Sequence, residues 1–279
     1  MLSSVSYNCR MASKPLFLIT NDDGYFAPGL NALVKAIARI GRVAVVAPDR
    51  EQSASGHSLT LNSPLRVQQV SPAVWSVSGT PTDCVNIALH HLLKERPVMV
   101  LSGINAGSNL GNDVTYSGTV AAAMEGTLIG VPSIAFSHRL DRSSKTPLPP
   151  DYPLAARLAA RLVRTLLREP LAPGTLLNVN FPVRWNGKVV AARLGQRHYD
   201  ETVTQRHDPL GKPYYWIGGA SPVWREEIDT DYAAVRAGAA SITPLQLDYT
   251  RYEDLPHILP LAQKLSRKSA KLRPLTRRS

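Results

Sequence analysis

Leu16-Phe17-Leu18-Ile19-Thr20-Asn21-Asp22-Asp23-Gly24 is the stretch that decides the fold. The apolar run 16–19 has the length and composition of a buried strand. It ends in two adjacent carboxylates and a glycine. Pro28 and Gly29 then open a helical pattern with Leu30, Leu33, Val34, Ile37 and Ala38 on one face and Gly41 as its stop. A strand and a helix in this order predict an α/β sheet, with Asp22 and Asp23 in the turn at the carboxyl end of the first strand. Open α/β sheets bind their ligands at that edge. Two neighbouring carboxylates repel unless a cation neutralises them, and a hard divalent metal does so with oxygen ligands. A solvated turn with an aspartate as helix cap is the plainer reading of an isolated Asp-Asp-Gly. The rest of the chain decides between the two.

The same arrangement recurs twice. The apolar run 43–47 leaves into a polar loop, 48–58, that carries Ser53, Ser55, Ser58 and His57. A third strand, 98–101, exits through Ser102-Gly103-Ile104-Asn105-Ala106-Gly107-Ser108-Asn109-Leu110-Gly111-Asn112-Asp113. Its glycines let the backbone turn tightly near a ligand, and Asn105, Asn109 and Asn112 supply neutral polar groups. Ser117 or Gly118 next opens a helix of small residues that can pack close to a sheet. The N–H groups at its start, with the hydroxyls of Ser117 and Thr119, make an anion site. A simple Ser/Thr cap is the competing reading there. Between the second and third strands, 59–77 reads as a hairpin or an excursion from the main sheet. A helix follows, capped by Thr80 or Thr82 with Pro81 in its first turn. Its expected inner face is Cys84, Val85, Ile87, Ala88, His91 and Leu92. Three successive strand exits with dense polar sets point to one composite site.

Composition restricts the class. The chain of 279 residues is 44% hydrophobic and 19% charged, the balance of a soluble globular protein with a sizeable core. No apolar run is long enough to cross a bilayer. Residues 1–14 have no secretory pattern and read as a disordered arm. The two cysteines, Cys9 and Cys84, offer neither a disulfide framework nor metal-ligand spacing, which fits a reducing, cytoplasmic compartment. The net charge of +11 is mostly a property of the end of the chain. Lys264, Arg267, Lys268, Lys271, Arg273, Arg277 and Arg278 cluster there with no acidic residue among them. That distribution reads as a solvated tail and argues against specific nucleic-acid binding, with attraction to polyanions as the alternative.

Five ordered blocks resemble the SurE family, the survival-protein-E nucleotidases. They are Asn21-Asp22-Asp23-Gly24; Ala47-Pro48-Asp49-Arg50 with Ser53; Gly79-Thr80-Pro81-Thr82-Asp83-Cys84; Ser102-Gly103-Ile104-Asn105-Ala106-Gly107; and Tyr116-Ser117-Gly118-Thr119-Val120 through Glu125-Gly126. Similarity continues at Tyr214-Tyr215-Trp216-Ile217-Gly218 and Ser241-Ile242-Thr243-Pro244-Leu245. The resemblance implies a metal-dependent phosphomonoesterase of nucleoside 5′- and 3′-monophosphates. It implies one divalent ion, magnesium or manganese, on Asp22, Asp23, Ser53 and Asn105. Asn109, Ser117, Gly118 and Thr119 would then cradle the phosphate, and Asp23, more than Asp22, would accept the proton of the attacking water. The implied fold is a Rossmann-like three-layer α/β core with a mostly parallel sheet. A C-terminal β-hairpin and helix would be exchanged between subunits of a homodimer or homotetramer.

On this reading 15–250 is the nucleotidase domain, with the hairpin arm at about 197–225, and 251–279 holds a C-terminal helix and the basic tail. The aromatics Tyr199, Tyr214, Tyr215, Trp216 and Trp224 fit hairpin packing or a subunit interface better than base stacking. Two other functions are kept in view. One is an exopolyphosphatase using the same site. The other is a non-catalytic nucleotide- or polyanion-binding protein, to which two carboxylates would bring nothing. A dinucleotide-binding glycine turn is absent after the first strand. The two aspartates are adjacent, whereas haloacid-dehalogenase phosphatases separate theirs by one residue.

Overall fold

A computed structural model describes residues 14–141, 145–198, 203–217 and 223–269. The expected N-terminal arm up to residue 13 and most of the basic tail lie outside these residues, as does Tyr199. In chain order the elements are β1 (Leu16–Thr20), α1 (Pro28–Ile37), β2 (Arg42–Pro48), β3 (Val67–Ser71), β4 (Val74–Val77), α2 (Pro81–Ile87), β5 (Met99–Ala106), α3 (Gly118–Leu128), β6 (Ser133–His138), α4 (Tyr152–Leu166), β7 (Thr175–Phe181), β8 (Val189–Ala191), β9 (Arg197–His198), β10 (Val203–His207), β11 (Pro213–Ile217), β12 (Val223–Trp224), α5 (Asp231–Arg236), β13 (Ala240–Gln246) and α6 (Leu255–Ser269).

One nine-stranded sheet has the order β3-β4-β2-β1-β5-β6-β7-β13-β8. β1 pairs in parallel with both β2 and β5, β5 with β6, and β6 with β7. The edge pair β3–β4 is antiparallel. The pleat sorts alternate residues to two faces. Phe17, Ile19, Val45, Met99 and Leu101 pack with Leu30, Leu33 and Ile37 of α1 and with the alanines of α4. Leu18, Val46 and Val100 pack on the other face with Cys84 and Val85 of α2 and Ala122 of α3. Each such large side chain, taken fully from water, contributes about 1.5–3 kcal/mol. Because both faces are covered, β1, β2 and β5 read as near-continuous apolar runs.

From β1 the chain first winds outward through β2 and β4, then returns to the other side of β1 as β5. The strand order therefore reverses between β1 and β5, which is where such sheets open a crevice. Asp22 and Asp23 follow β1 and Asn105 lies at the end of β5, so topology alone brings them together.

Three local expectations change. The 59–77 segment does form a hairpin, but β4 pairs in parallel with β2, so the hairpin extends the main sheet. β5 runs on to Ala106 through a register irregularity between Ser102 and Asn105, where a loop was expected from Ser102. His91 falls on the stripe expected to face inward but, like His90, lacks a partner motif and reads as a helix-surface residue; it is exposed. The helix widens into a π-helical turn at Ala88–Leu92, and the wider turn shifts the stripe out of phase.

The chain divides into two compact units at Leu245/Gln246. The second contains a 3₁₀ turn, Tyr252–Asp254, and α6, which continues past Pro260 to Ser269. No helix among the described residues is long and apolar enough to cross a membrane.

Candidate active site

The turn after β1 is built into the protein. Asn21 is fully buried and donates its side-chain amide to the Gly24 carbonyl at 2.9 Å. Asp22 is 5% exposed, and its Oδ1 accepts the Thr119 hydroxyl at 2.6 Å. Burial pushes its carboxyl up to about 6; the Thr119 hydrogen bond opposes this and the Asp23 charge adds to it. Asp23 is half-buried and accepts the Ala106 N–H at 3.0 Å. Its carboxyl is also raised by burial, against the Ala106 bond and with the negative charge of Glu51.

The β2 loop and the end of β5 complete this corner. Ser53 donates its hydroxyl to Glu51 Oε1 at 2.6 Å, which leaves the Ser53 oxygen lone pairs as its remaining function. Asn105 donates its amide nitrogen to the Gly107 carbonyl at 2.9 Å, so the side-chain oxygen is the end left to act as a ligand. Asp22, Asp23, Ser53 and Asn105 all line one cavity of about 410 Å³. These residues fit a hard divalent cation. All the donors are oxygens, two of them carboxylate, and the carboxylates carry the strain of burial and mutual repulsion that a cation relieves. Among the described residues no three His, Cys, Asp or Glu side chains form a group that could hold a metal ion.

Opposite lies the start of α3. Ser117 is its N-cap, accepting the Val120 N–H at 3.1 Å, and it lines the same cavity together with Asn109. Accepting that bond leaves Ser117 its hydroxyl proton to donate. Gly118 lies directly against Asp22: a Cβ built there would stand 2.9 Å from the Asp22 Cβ. Thr119 needs correction. Expected to touch phosphate, it is fully buried, does not line the cavity and gives its hydroxyl to Asp22. A hydroxyl in the first turn of a helix can face ligand or strand, and the closeness of β1 decides for the strand.

Sequence reading missed several residues of the wall. Glu51, Ala106, Ser108, Asp113, Tyr116 and Arg197 also line the cavity, and Arg197 forms an ion pair with Asp113. Tyr116, 61% exposed, is an aromatic at the edge of a polar cavity. The support of Asn109 was missed as well. Its N–H donates to Asn180 Oδ1, its carbonyl accepts both Asn178 and Asn180 amides, and its own amide reaches Ser137 Oγ, all at 2.7–2.9 Å. Two asparagines spaced by two inside the apolar strand 176–181 were the available signal, since period two puts both on one face.

A larger cavity of about 1130 Å³ adjoins the first and shares Ser108, Asp113 and Arg197 with it. Arg139, Arg184 and Arg236 also line it. Trp224 stacks on Tyr232 with centroids 4.1 Å apart, and Arg197 lies 5.7 Å from the Trp224 ring. Trp224 thus packs on Tyr232 of α5 and lines this cavity as well.

Residues 17–201 match the family described as Survival protein SurE. A protein named 5′-nucleotidase SurE from Geobacter metallireducens is 51% identical over 241 residues, which is 85% of this chain and 94% of that protein. One of the same name from Nitrosococcus oceani is 45% identical over 253 residues, 90% of this chain and 98% of that one. The crystal structure of the SurE protein from Aquifex aeolicus superposes with a TM-score of 0.76 at 42% identity, covering 89% of this chain and all of that one. Family match, relatives and fold agree with the ordered blocks read from the sequence: the chain belongs to the SurE family.

Proposed function

We infer that the protein is a divalent-metal-dependent phosphomonoesterase that hydrolyses nucleoside 5′- and 3′-monophosphates to nucleoside and phosphate. The observation that carries this reading is an adjacent aspartate pair at the exit of β1, Asp22 buried and Asp23 half-buried, facing the capped start of α3 across one polar cavity. The names of the relatives support the nucleotide as substrate. Asp22, Asp23, Ser53 and Asn105 would hold one magnesium or manganese ion. Bound there, the cation supplies neutralisation of phosphate charge and activation of water.

The chain's own residues do the rest. Ser117, the first N–H groups of α3 and Asn109 orient the phosphate, where the helix N-terminus favours negative charge. Asp23 is the better proton acceptor for the attacking water. It is more exposed than Asp22, and Asp22 is already engaged by Thr119. The P–O bond to the nucleoside breaks, and the leaving oxygen takes up a proton from solvent to become the nucleoside hydroxyl. The aromatic hairpin β10–β11, with Trp216 and Ile217 exposed, supports exchange of this arm between subunits of a homo-oligomer.

The direct test is phosphate release from a panel of 5′- and 3′-nucleoside monophosphates after EDTA treatment, with magnesium, manganese or nothing restored. Turnover that returns only with metal is expected; turnover unchanged by EDTA removes the metal assignment. Linear polyphosphate belongs in the same panel, because the adjoining arginine-lined cavity offers room for a longer anion. Release that rises with chain length would favour that second reading. Tyr116→Ala is expected to raise KM for nucleoside monophosphates about tenfold by removing an aromatic contact with the nucleoside. Glycerol phosphate, which has no base, should be hydrolysed as before. An equal loss on both esters would place Tyr116 outside nucleoside recognition.

A further inference from the structure

α3 is made of small and apolar residues with one charged exception, Glu125. The side chain of Glu125 is buried and does not line the catalytic cavity. A carboxylate in such a place is costly unless its oxygens are satisfied. Both are, and neither partner belongs to α3. Oε2 meets His57 Nε2 at 2.9 Å, and Oε1 accepts the Asn86 amide of α2 at 2.9 Å. The His57 contact is the leading cause that holds the Glu125 carboxyl below its ordinary range.

His57 lies on the loop that carries Ser53. Backbone hydrogen bonds tie that loop to the rest of the protein. Gln52 N–H donates to the Asp22 carbonyl at 2.8 Å, and Gly56 N–H to the Tyr116 carbonyl at 3.2 Å. Just beyond, the Ser58 carbonyl accepts the Thr80 hydroxyl at 2.8 Å. Between the Gln52 and Gly56 anchors, Ser53 and Ala54 are exposed, and Ala54 takes a left-handed φ of 58°. An exposed stretch with one residue in a disfavoured conformation stays in place only if its ends are fixed. The other end of the same helix holds Asp22 through Thr119. Thr119 and Glu125 are six positions apart, about 9 Å along the axis.

We propose that His57 and Glu125 are positioning residues. Their contact pins the Ser53 loop to the same helix that orients Asp22, so that oxygens contributed by two different strand exits share one rigid support. The proposal rests on the metal reading given above. It adds a residue pair that touches neither metal nor phosphate and acts through Ser53.

The test uses the full chain as wild type, His57→Ala and His57→Gln. Two readouts are taken: amide hydrogen exchange along 52–56, and titration with Mn²⁺ alone. His57→Ala is expected to speed exchange at Gln52 and Gly56 while leaving α3 protected, and to weaken Mn²⁺ binding about tenfold, as loss of an outer hydrogen bond to a metal site commonly does. Its kcat should return at saturating Mn²⁺. His57→Gln, whose amide can donate to Glu125, should restore both readouts toward wild type. Unchanged exchange and unchanged Mn²⁺ affinity in His57→Ala would overturn the proposal. So would His57→Gln behaving as badly as His57→Ala, because the contact would then not be what matters. If wild type itself binds no Mn²⁺, the metal reading fails, and the exchange data still decide whether the pair pins the loop.

Discussion

Asp22→Asn is expected to lower phosphate release at least about 10³-fold while making the metal-free protein more resistant to heat. The two effects have one cause. Asp22 is 5% exposed and its carboxyl is pushed up to about 6 from an ordinary 3.8. The folded state therefore holds this proton more tightly than the unfolded chain does. Stability associated with it is fully present below pH 3.8 and is lost as pH rises through about 6. At neutral pH the ionised, metal-free site costs about 3 kcal/mol. Asparagine does not ionise, and its oxygen can still accept the Thr119 hydroxyl. In EDTA at pH 7 the variant should melt several degrees above wild type, with the gap closing as pH falls toward 4. Added Mn²⁺ should raise the melting temperature of wild type and leave the variant where it is. A variant that kept full metal-stimulated activity would remove Asp22 from the site. A variant that melted lower in EDTA at pH 7 would show that burial does not strain this carboxylate.

What the sequence made legible follows from the range of each interaction. β1, α1 and the position of Asp22 and Asp23 rest on local pattern: an apolar run, a turn, a helical stripe ended near Gly41. Such signals survive folding because both faces of the sheet are covered and the buried strands look alike. Asn105 and Ser117 were legible for a related reason. Each sits at the end of a strand or the start of a helix, and topology sends those ends to one edge.

The misread or missed parts are long-range side-chain contacts. Thr119 bonds Asp22 across 97 residues, Asn109 reaches Asn180 across 71, Arg197 pairs with Asp113 across 84, and His57 meets Glu125 across 68. Nothing in the residue itself says which partner it will find. A loop histidine is usually only exposed, and nothing beside His57 in the chain points to Glu125. Glu125 stood inside a quoted motif without a role, although one acid in a helix of alanines was itself a signal. The π-helical turn that turns His91 outward has no clear local signature either. The order of the five blocks carried more of the function than any single residue, because order fixes which strand exits are neighbours.

Gly118→Ala should reduce kcat/KM for nucleoside monophosphates about a hundredfold, although helix propensity alone favours the change. Alanine is about 1 kcal/mol better than glycine inside a helix, and Gly118 is the first residue of α3. The space decides otherwise. A Cβ at 118 would stand 2.8 Å from Ser55 Oγ, 2.9 Å from Asp22 Cβ and 3.1 Å from Asp22 Oδ2. The Ser55 hydroxyl can rotate away. Asp22 Cβ cannot, because it is bound to a turn whose carbonyl is tied to Gln52 N–H and whose Oδ1 is tied to Thr119. Either the aspartate turn or the start of α3 must retreat by several tenths of an ångström. Both movements separate the carboxylate from the groups that would face it across the phosphate. Adding Ser55→Ala removes the contact that was already easy to relieve, so the double variant should recover little. Far-ultraviolet circular dichroism and a melting temperature within a few degrees of wild type would establish that α3 still forms. A Gly118→Ala enzyme with wild-type kcat/KM, or one rescued fully by Ser55→Ala, would mean that the approach of α3 to Asp22 is not what sets the geometry of this site.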